Sequence, residues 1–219
     1  AILEGRERIG GTWDLFRYPG IRSDSDMYTM GYDSKPWLNP KAIADGPSIL
    51  AYVKDAAVER GLEEFIQFDR WVTAANWSTE EASWTVVARC SDKEQEFVWK
   101  CNFLFVCSGY YDYTKAYKPD FPGEEAFNGP VVHPQHWPED LNYAGKKVVV
   151  IGSGATAMTL VPSMAKKSPK VTMLQRSPTY VVSFPSEDPI ANFLKKILPQ
   201  KLAYALTRWK NIRMQRWFY

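Results

Sequence analysis

The stretch VVVIGSGATA, residues 148–157, decides the fold of this chain. Four β-branched residues, Val148 to Ile151, form a short strand of the buried type. G-x-G-x-x-A follows at once, as Gly152, Gly154 and Ala157. Gly152 permits the tight turn, Gly154 has no Cβ to keep a pyrophosphate off the backbone, and small Ala157 lets a helix pack close to the strand. The start of that helix offers unsatisfied N–H groups and the positive end of a dipole to phosphates. The helical pattern runs to about Lys166, and VTMLQ (171–175) reads as a second strand. A glycine motif alone is weak evidence. Set between a strand and a helix, with another strand behind, it predicts a Rossmann-type βαβ unit.

The end of the second strand chooses the dinucleotide. A site for NAD places Asp or Glu about 20 residues after the glycines, where it accepts from the ribose 2′-OH. Here the region reads Leu174-Gln175-Arg176-Ser177-Pro178, without an acid. Arg176 offers charge-assisted hydrogen bonds to a 2′-phosphate, with Ser177 as a second donor, which favours NADP(H) over an ordinary surface arginine. At the other end of the chain, Ile2-Leu3-Glu4 reads as a strand closing in an acid, the expected partner of an adenosine ribose. Its own glycine turn would lie about 30 residues upstream, on the usual length of such a unit.

Between these landmarks, residues 10–40 are rich in Gly, Pro, Asp and Tyr and read as an ordered loop. Residues 47–61 carry Ile49, Leu50, Tyr52, Val53 and Ala56 at helical spacing, with Gly61 as the stop. FIQF, WVTAANW, SWTVVARC and EFVWKCNFLFVCSG read as strands, and the alternation of Trp84, Val86 and Ala88 predicts a sheet with one solvated face. Residues 114–146 form a Pro-rich connection. The last stretch, 189–219, carries seven Lys/Arg and no Asp or Glu, leaving a net charge of −5 on residues 1–188. Such a basic, aromatic amphipathic segment packs on its own protein or lies on an anionic membrane surface.

Composition narrows the classes. The chain has 219 residues, 45% apolar and 15% aromatic, enough for one large domain or two small ones around a rich core. A net charge of +2 gives no global reason for a nucleic-acid partner. Cys90, Cys101 and Cys107 form no CxxC pair, which fits reduced thiols in a cytoplasmic protein. No run of about 18 apolar residues predicts a spanning helix. The chain opens AILEGRERIGG, within a strand and without a basic-then-apolar leader. It closes RMQRWFY within a helical pattern, and so reads as a piece of something longer.

Two further stretches carry a resemblance. EGRERIGGTWDLFRYPGIRSDSDMY (4–28) resembles the flavin-contacting region of the class B flavoprotein monooxygenases, the flavin-containing and Baeyer–Villiger superfamily. FNGPVVHPQHWP (127–138) matches the Baeyer–Villiger signature F-x-G-x-x-x-H-x-x-x-W-P as Phe127, Gly129, His133, Trp137 and Pro138. The N- and S-oxidising branch usually has Tyr or Phe where Trp137 stands. The resemblance implies an α/β flavoprotein with two Rossmann-like dinucleotide-binding domains and a β-rich insertion, the FAD domain incomplete at its N-terminus. Residues 1–140 would be the partial FAD-binding domain with the β-rich segment and linker. Residues 141–219 would be the first part of the NADP-binding domain with its basic helical extension.

By that resemblance, FAD and NADPH are the cofactors and O2 the oxidant. A C4a-peroxyflavin then converts ketones to esters or lactones, or oxidises the sulfur of thioamides and sulfides. Glu4 would bind the FAD ribose. Thr12, Trp13, Asp14 and Leu15 would line the flavin, with Val72 near its adenine end. Arg22 and Ser23 would approach NADP, and Asp24 would sit between flavin and nicotinamide as the catalytic hydrogen-bond and charge partner, with Asp26 structural. Ser153, Gly154, Ala155, Thr156, Ala157, Met158 and Thr159 would wrap the pyrophosphate. His133 would couple the two domains as a hinge. A metal reading of His133 and His136 needs a third ligand, and the sequence offers none at a suggestive spacing. The first flavin glycine turn and the family's downstream arginine have no match here, so the fragment by itself is expected to be inactive. The competing readings are an N/S-oxidising enzyme, a disulfide or quinone reductase (opposed by the lack of CxxC), and a non-catalytic fragment binding nucleotide or membrane.

Overall fold

The structure is a computed structural model that describes residues 1–90 and 93–218. In chain order the elements are β1 (Ile2–Leu3), α1 (Thr12–Leu15), α2 (Met27–Met30), α3 (Gly46–Glu59), β2 (Ile66–Gln67), β3 (Trp71–Ser78), β4 (Ser83–Cys90) and β5 (Lys93–Cys101). Then follow β6 (Lys147–Ile151), α4 (Ala155–Met164), β7 (Lys170–Leu174), α5 (Pro189–Ile197) and α6 (Gln200–Phe218). Between β5 and β6 run only loops and two short 3-10 turns, Glu124–Ala126 and Pro134–His136.

Packing sorts the chain into two compact units, Ala1–Leu15 with Leu50–Gly129, and Phe16–Ile49 with Pro130–Tyr219. The sequence reading divides the chain instead at residue 140, by ligand and not by contact. Residues 16–49 group with the second unit because their hydrogen bonds go there: Ala42 and Ile43 donate N–H to the Ser186 carbonyl at 2.7 and 3.0 Å.

In the first unit β1 and β2 pair in parallel, Ile2 opposite Ile66, and the Glu4 N–H extends the ladder to Gln67. Strands β3, β4 and β5 form an antiparallel meander. Val86 and Ala88 are buried on one face of β4, while Arg89 pairs with Glu96 across the outer face, as the alternation predicts. Helix α3, whose first turn (46–49) belongs to the second unit, buries Ile49, Tyr52 and Ala56 at the expected spacing, and Gly61, at φ +59°, supplies the left-handed residue beyond its end.

One strand expectation fails. EFVWKCNFLFVCSG is a strand only as far as Cys101. Phe103, Phe105 and Val106 are exposed, and among the described residues no strand pairs with them. Apolar composition favours a strand only where a neighbour supplies the ladder of hydrogen bonds and a face to bury against. The loop reading of 10–40 also needs amendment, since the short helices α1 and α2 lie within it.

In the second unit β6 and β7 run parallel in register, Val150 opposite Met173, with α4 as the crossover. Ala157, Leu160 and Met164 bury the inner side of α4. The C-terminal segment folds as two helices broken at Leu198-Pro199. Helix α6 fastens both ends of α2. Asn211 and Gln215 donate to the Asp26 carboxylate, which also caps α2 through the Thr29 N–H at 2.9 Å. Arg208 donates to the carbonyls of Tyr28, Thr29 and Gly31 at the other end, where a cation meets the negative pole of the helix.

Candidate functional site

The glycine turn is formed as the sequence predicts. Gly152 adopts φ +127°, closed to residues with a Cβ, and its N–H donates to the Leu174 carbonyl at 2.8 Å. This bond ties the end of β6 to the end of β7. Gly154 is different. Its φ is −76°, accessible to any residue, and a Cβ built there would meet no atom within 4 Å. Neither conformation nor packing within the protein explains glycine at 154. Bare backbone at the start of a helix is what a close-lying pyrophosphate requires. Gly154 also supplies no side-chain cap to that helix end.

The second strand brings its end to the same place. Ser153 Oγ donates to the Ser177 carbonyl at 3.4 Å, and Thr179 Oγ1 donates to Ser153 Oγ at 3.4 Å. Arg176, between them in sequence, is exposed and forms no ion pair or hydrogen bond among the described residues. A cation and three hydroxyls thus border the open glycine turn. Ala155 is exposed, and Thr156 and Met158 are half-buried. Ala157 and Thr159 face inward; the Thr159 hydroxyl donates to the Thr156 carbonyl and serves the helix itself.

Residues 22–24 are placed by Gly20. Tyr18-Pro19-Gly20-Ile21 is a turn closed by the Ile21 N–H on the Tyr18 carbonyl, with Gly20 at φ +86°. A Cβ on Gly20 would stand 2.0 Å from Ser163 Oγ, so this loop lies directly on α4. Arg22 and Asp24 are exposed. Ser23 is buried, its Oγ accepting from the Ala44 N–H at 3.1 Å. No hydrogen bond joins these three to the glycine turn among the described residues. Sequence reading passed over Gly20 and Thr179; the Pro-Gly pair and the hydroxyl close behind Arg176 were the available signals.

The candidate flavin residues belong to the other unit. Glu4 ends β1 and accepts the Arg6 N–H through Oε1 at 2.9 Å, which leaves Oε2 without a donor among the described residues. Gly10 and Gly11, both at positive φ, carry the chain into α1. Asp14, 2% exposed, is paired with Arg6 at 2.7 Å and Arg8 at 3.3 Å, so its carboxylate holds this segment together. Thr12 shares a hydrogen bond of 3.1 Å with Tyr113, another residue the sequence did not single out. Trp13 and Leu15 are half-buried, and Val72 is exposed beside a β-bulge in β3.

The signature straddles the two units, whose boundary falls between Gly129 and Pro130. Phe127 is exposed with its ring over Gly129, where a Cβ would come within 2.6 Å of it. His133 Nδ1 accepts from the Gln135 N–H at 3.2 Å and caps the turn Pro134–His136. Trp137 meets Tyr143 edge to face at 6.3 Å, and Pro138 is exposed. His136 points to solvent. Among the described residues no group of three or more His, Cys, Asp or Glu stands where it could hold a metal ion.

This glycine turn with its basic border, in an α/β frame, belongs to a known family. Residues 39–219 match the FMO-like family of flavin-binding monooxygenase-like proteins, and the chain is a member of it. It is 56% identical over 216 residues to the FAD-containing monooxygenase EthA of Mycobacterium tuberculosis, covering 98% of this chain and 44% of that protein. The chain therefore spans about half the length of the curated relatives it matches. Among solved structures it is similar to an oxidized steroid monooxygenase bound to NADP, at TM-score 0.74 and 32% identity over 93% of this chain and 37% of that one. It is similar also to a cyclohexanone monooxygenase with ε-caprolactone bound, at TM-score 0.75 and 25% identity over 93% of this chain and 39% of that one. The expected α/β Rossmann-like flavoprotein fold is met.

Proposed function

We propose that this chain is the cofactor-binding part of an NADPH- and O2-dependent flavin monooxygenase of the Baeyer–Villiger type. It acts in the cytoplasm on ketones, which become esters or lactones, and on the sulfur of thioamides or sulfides. The observation that carries the reading is the open backbone at Gly154 beside exposed Arg176. Arg176 takes the 2′-phosphate and Ser177 seconds it. The N–H groups of Ala155 and Thr156, at the start of α4, take the pyrophosphate.

Glu4, whose Oε2 has no donor among the described residues, holds the FAD ribose. Thr12 to Leu15 border the flavin, kept in place by the Asp14 pairs to Arg6 and Arg8. Bound FAD supplies the oxygen-activating chemistry, with electrons from NADPH. Exposed Asp24 offers a charge and an acceptor for the nicotinamide side, while Asp26 is occupied in capping α2. His133 serves as a hinge residue, because its turn follows directly on the boundary between the packing units.

The test is anaerobic mixing of the full-length, FAD-loaded protein with NADPH or NADH while the flavin absorbance is followed. Bleaching by NADPH well ahead of NADH is expected. Equal rates, or no bleaching, would overturn the reading.

A further inference from the structure

Asp24, proposed to face the nicotinamide, stands on a segment of the second unit that is pinned on both sides of it. Before it, the Ser23 N–H donates to the Ala44 carbonyl at 2.8 Å, and the Ala44 N–H donates back to Ser23 Oγ at 3.1 Å. After it, the Met27 N–H donates to the Ala42 carbonyl at 2.8 Å. Ser23 and Met27 are buried, Asp26 is half-buried, and Asp24 and Ser25 are exposed between them. The backbone of 42–44 thus holds one edge of the segment.

The Asp26 carboxylate holds it from the other side. Thr29 donates to it twice, through its N–H at 2.9 Å and its hydroxyl at 2.8 Å, which closes the cap on α2. Helix α6 donates twice more, from 185 and 189 residues away: Asn211 Nδ2 at 2.9 Å and Gln215 Nε2 at 3.3 Å. A helix cap needs only the bond from the backbone N–H. The two amides therefore do something beyond capping. Asn211 is 2% exposed, and a buried amide costs stability unless it is hydrogen-bonded. An apolar side chain would pack at 211 without that cost, so the amide answers to the carboxylate it reaches. Both donors sit one turn apart on a helix of 19 residues, a firmer support than a loop.

We infer, resting on the proposed place of Asp24 at the nicotinamide, that Asn211 and Gln215 are positioning residues for Asp24. Through Asp26, two residues along the chain, α6 sets where the Asp24 carboxylate stands. The test is anaerobic reduction of the full-length, FAD-loaded protein by increasing NADPH, which gives a limiting rate of flavin bleaching and an NADPH dissociation constant. A small displacement of a group at the reacting centre is costly, so Asn211→Leu should lower the limiting rate about tenfold. The dissociation constant should not move, because Arg176 and the glycine turn are untouched. Asp24→Ala should slow reduction at least as much. In the Asp24→Ala background, Asn211→Leu should add less than about twofold, since its effect passes through the missing carboxylate. Gln215→Leu removes the longer bond at a half-buried position and should give a smaller loss of the same kind; it serves as the probe if Asn211→Leu does not fold. Equal slowing with and without Asp24 would mark a general structural effect and overturn the inference. So would an unchanged limiting rate in both amide variants. Reduction of Asp24→Ala at the parental rate would instead remove the proposed role of Asp24, and the inference with it.

Discussion

Ser153 Oγ donates to the carbonyl of Ser177 at 3.4 Å, across 24 residues of sequence. With the Gly152-to-Leu174 bond it fixes the glycine turn against the end of β7. The position of Arg176 relative to the bare backbone at Gly154 is therefore a property of the βαβ unit itself.

On the proposed assignment, Arg176→Ala removes the cation that would select the 2′-phosphate. Hydrogen bonds to a charged group contribute about 1.5–3 kcal/mol, so the NADPH KM should rise about ten- to a hundredfold with little change in kcat. NADH, which has no 2′-phosphate, should respond little. Steady-state kinetics with both coenzymes checks this, and an unchanged preference would refute the assignment.

Two glycines should respond oppositely. Gly154→Ala adds a Cβ that meets no protein atom, so stability should change by less than about 1 kcal/mol, the range of a modest cap effect. NADPH affinity should nevertheless fall about tenfold or more, equivalent to about 1.4 kcal/mol. Gly20→Ala puts a Cβ 2.0 Å from Ser163 Oγ at φ +86°, and should destabilise by about 2–4 kcal/mol through strain and overpacking. Urea unfolding and NADPH titration separate the two.

Asp188 caps α5 through the Ala191 N–H at 2.9 Å and pairs with Lys210 at 2.6 Å. Burial pushes its carboxyl pKa up, but the Lys210 hydrogen bond and charge and the backbone N–H groups outweigh it, leaving a value below the ordinary 3.8. A depressed folded pKa gives stability that is present above the unfolded value and lost as pH falls through the folded one. Asp188→Ala should cost about 2 kcal/mol at pH 7. The difference from the parent should persist down to about pH 4 and close below it. Urea unfolding at pH 7 and pH 3 reads both.

His133 caps the turn Pro134–His136, and the proposed hinge role would act through that cap. His133→Ala should lower kcat about tenfold, the order of effect expected of a hinge, without moving the NADPH dissociation constant. His133→Asn offers another acceptor to the Gln135 N–H and should recover part of the loss. A rise in the dissociation constant with kcat unchanged would contradict the hinge role.

The legible parts of the sequence were those set by local chemistry. β6, the Gly152 turn, α4 and β7 follow from four β-branched residues, a glycine at φ +127° and a small residue at 157. The alternation in β4 announced its buried face correctly. What depends on distant partners was not legible. Phe103 to Cys107 has the composition of a strand but pairs with no strand among the described residues. The grouping of 16–49 with the second unit depends on contacts such as Asn211 to Asp26, which no periodicity reveals. The basic tail was visible as composition, but which of its faces points outward was decided by the polar sockets at Tyr28 and Asp26. Around the glycine turn, spacing singled out Gly154 and Arg176, whereas the bond from Thr179 to Ser153 and the closeness of Gly20 to Ser163 depend on the folded chain.

The measurement that bears most directly on the proposed activity is product balance in the full-length protein. FAD, NADPH, O2 and a simple aryl ketone are supplied, and ester is quantified against NADPH consumed. The account predicts ester in step with NADPH. NADPH consumption that yields hydrogen peroxide and no ester would contradict it.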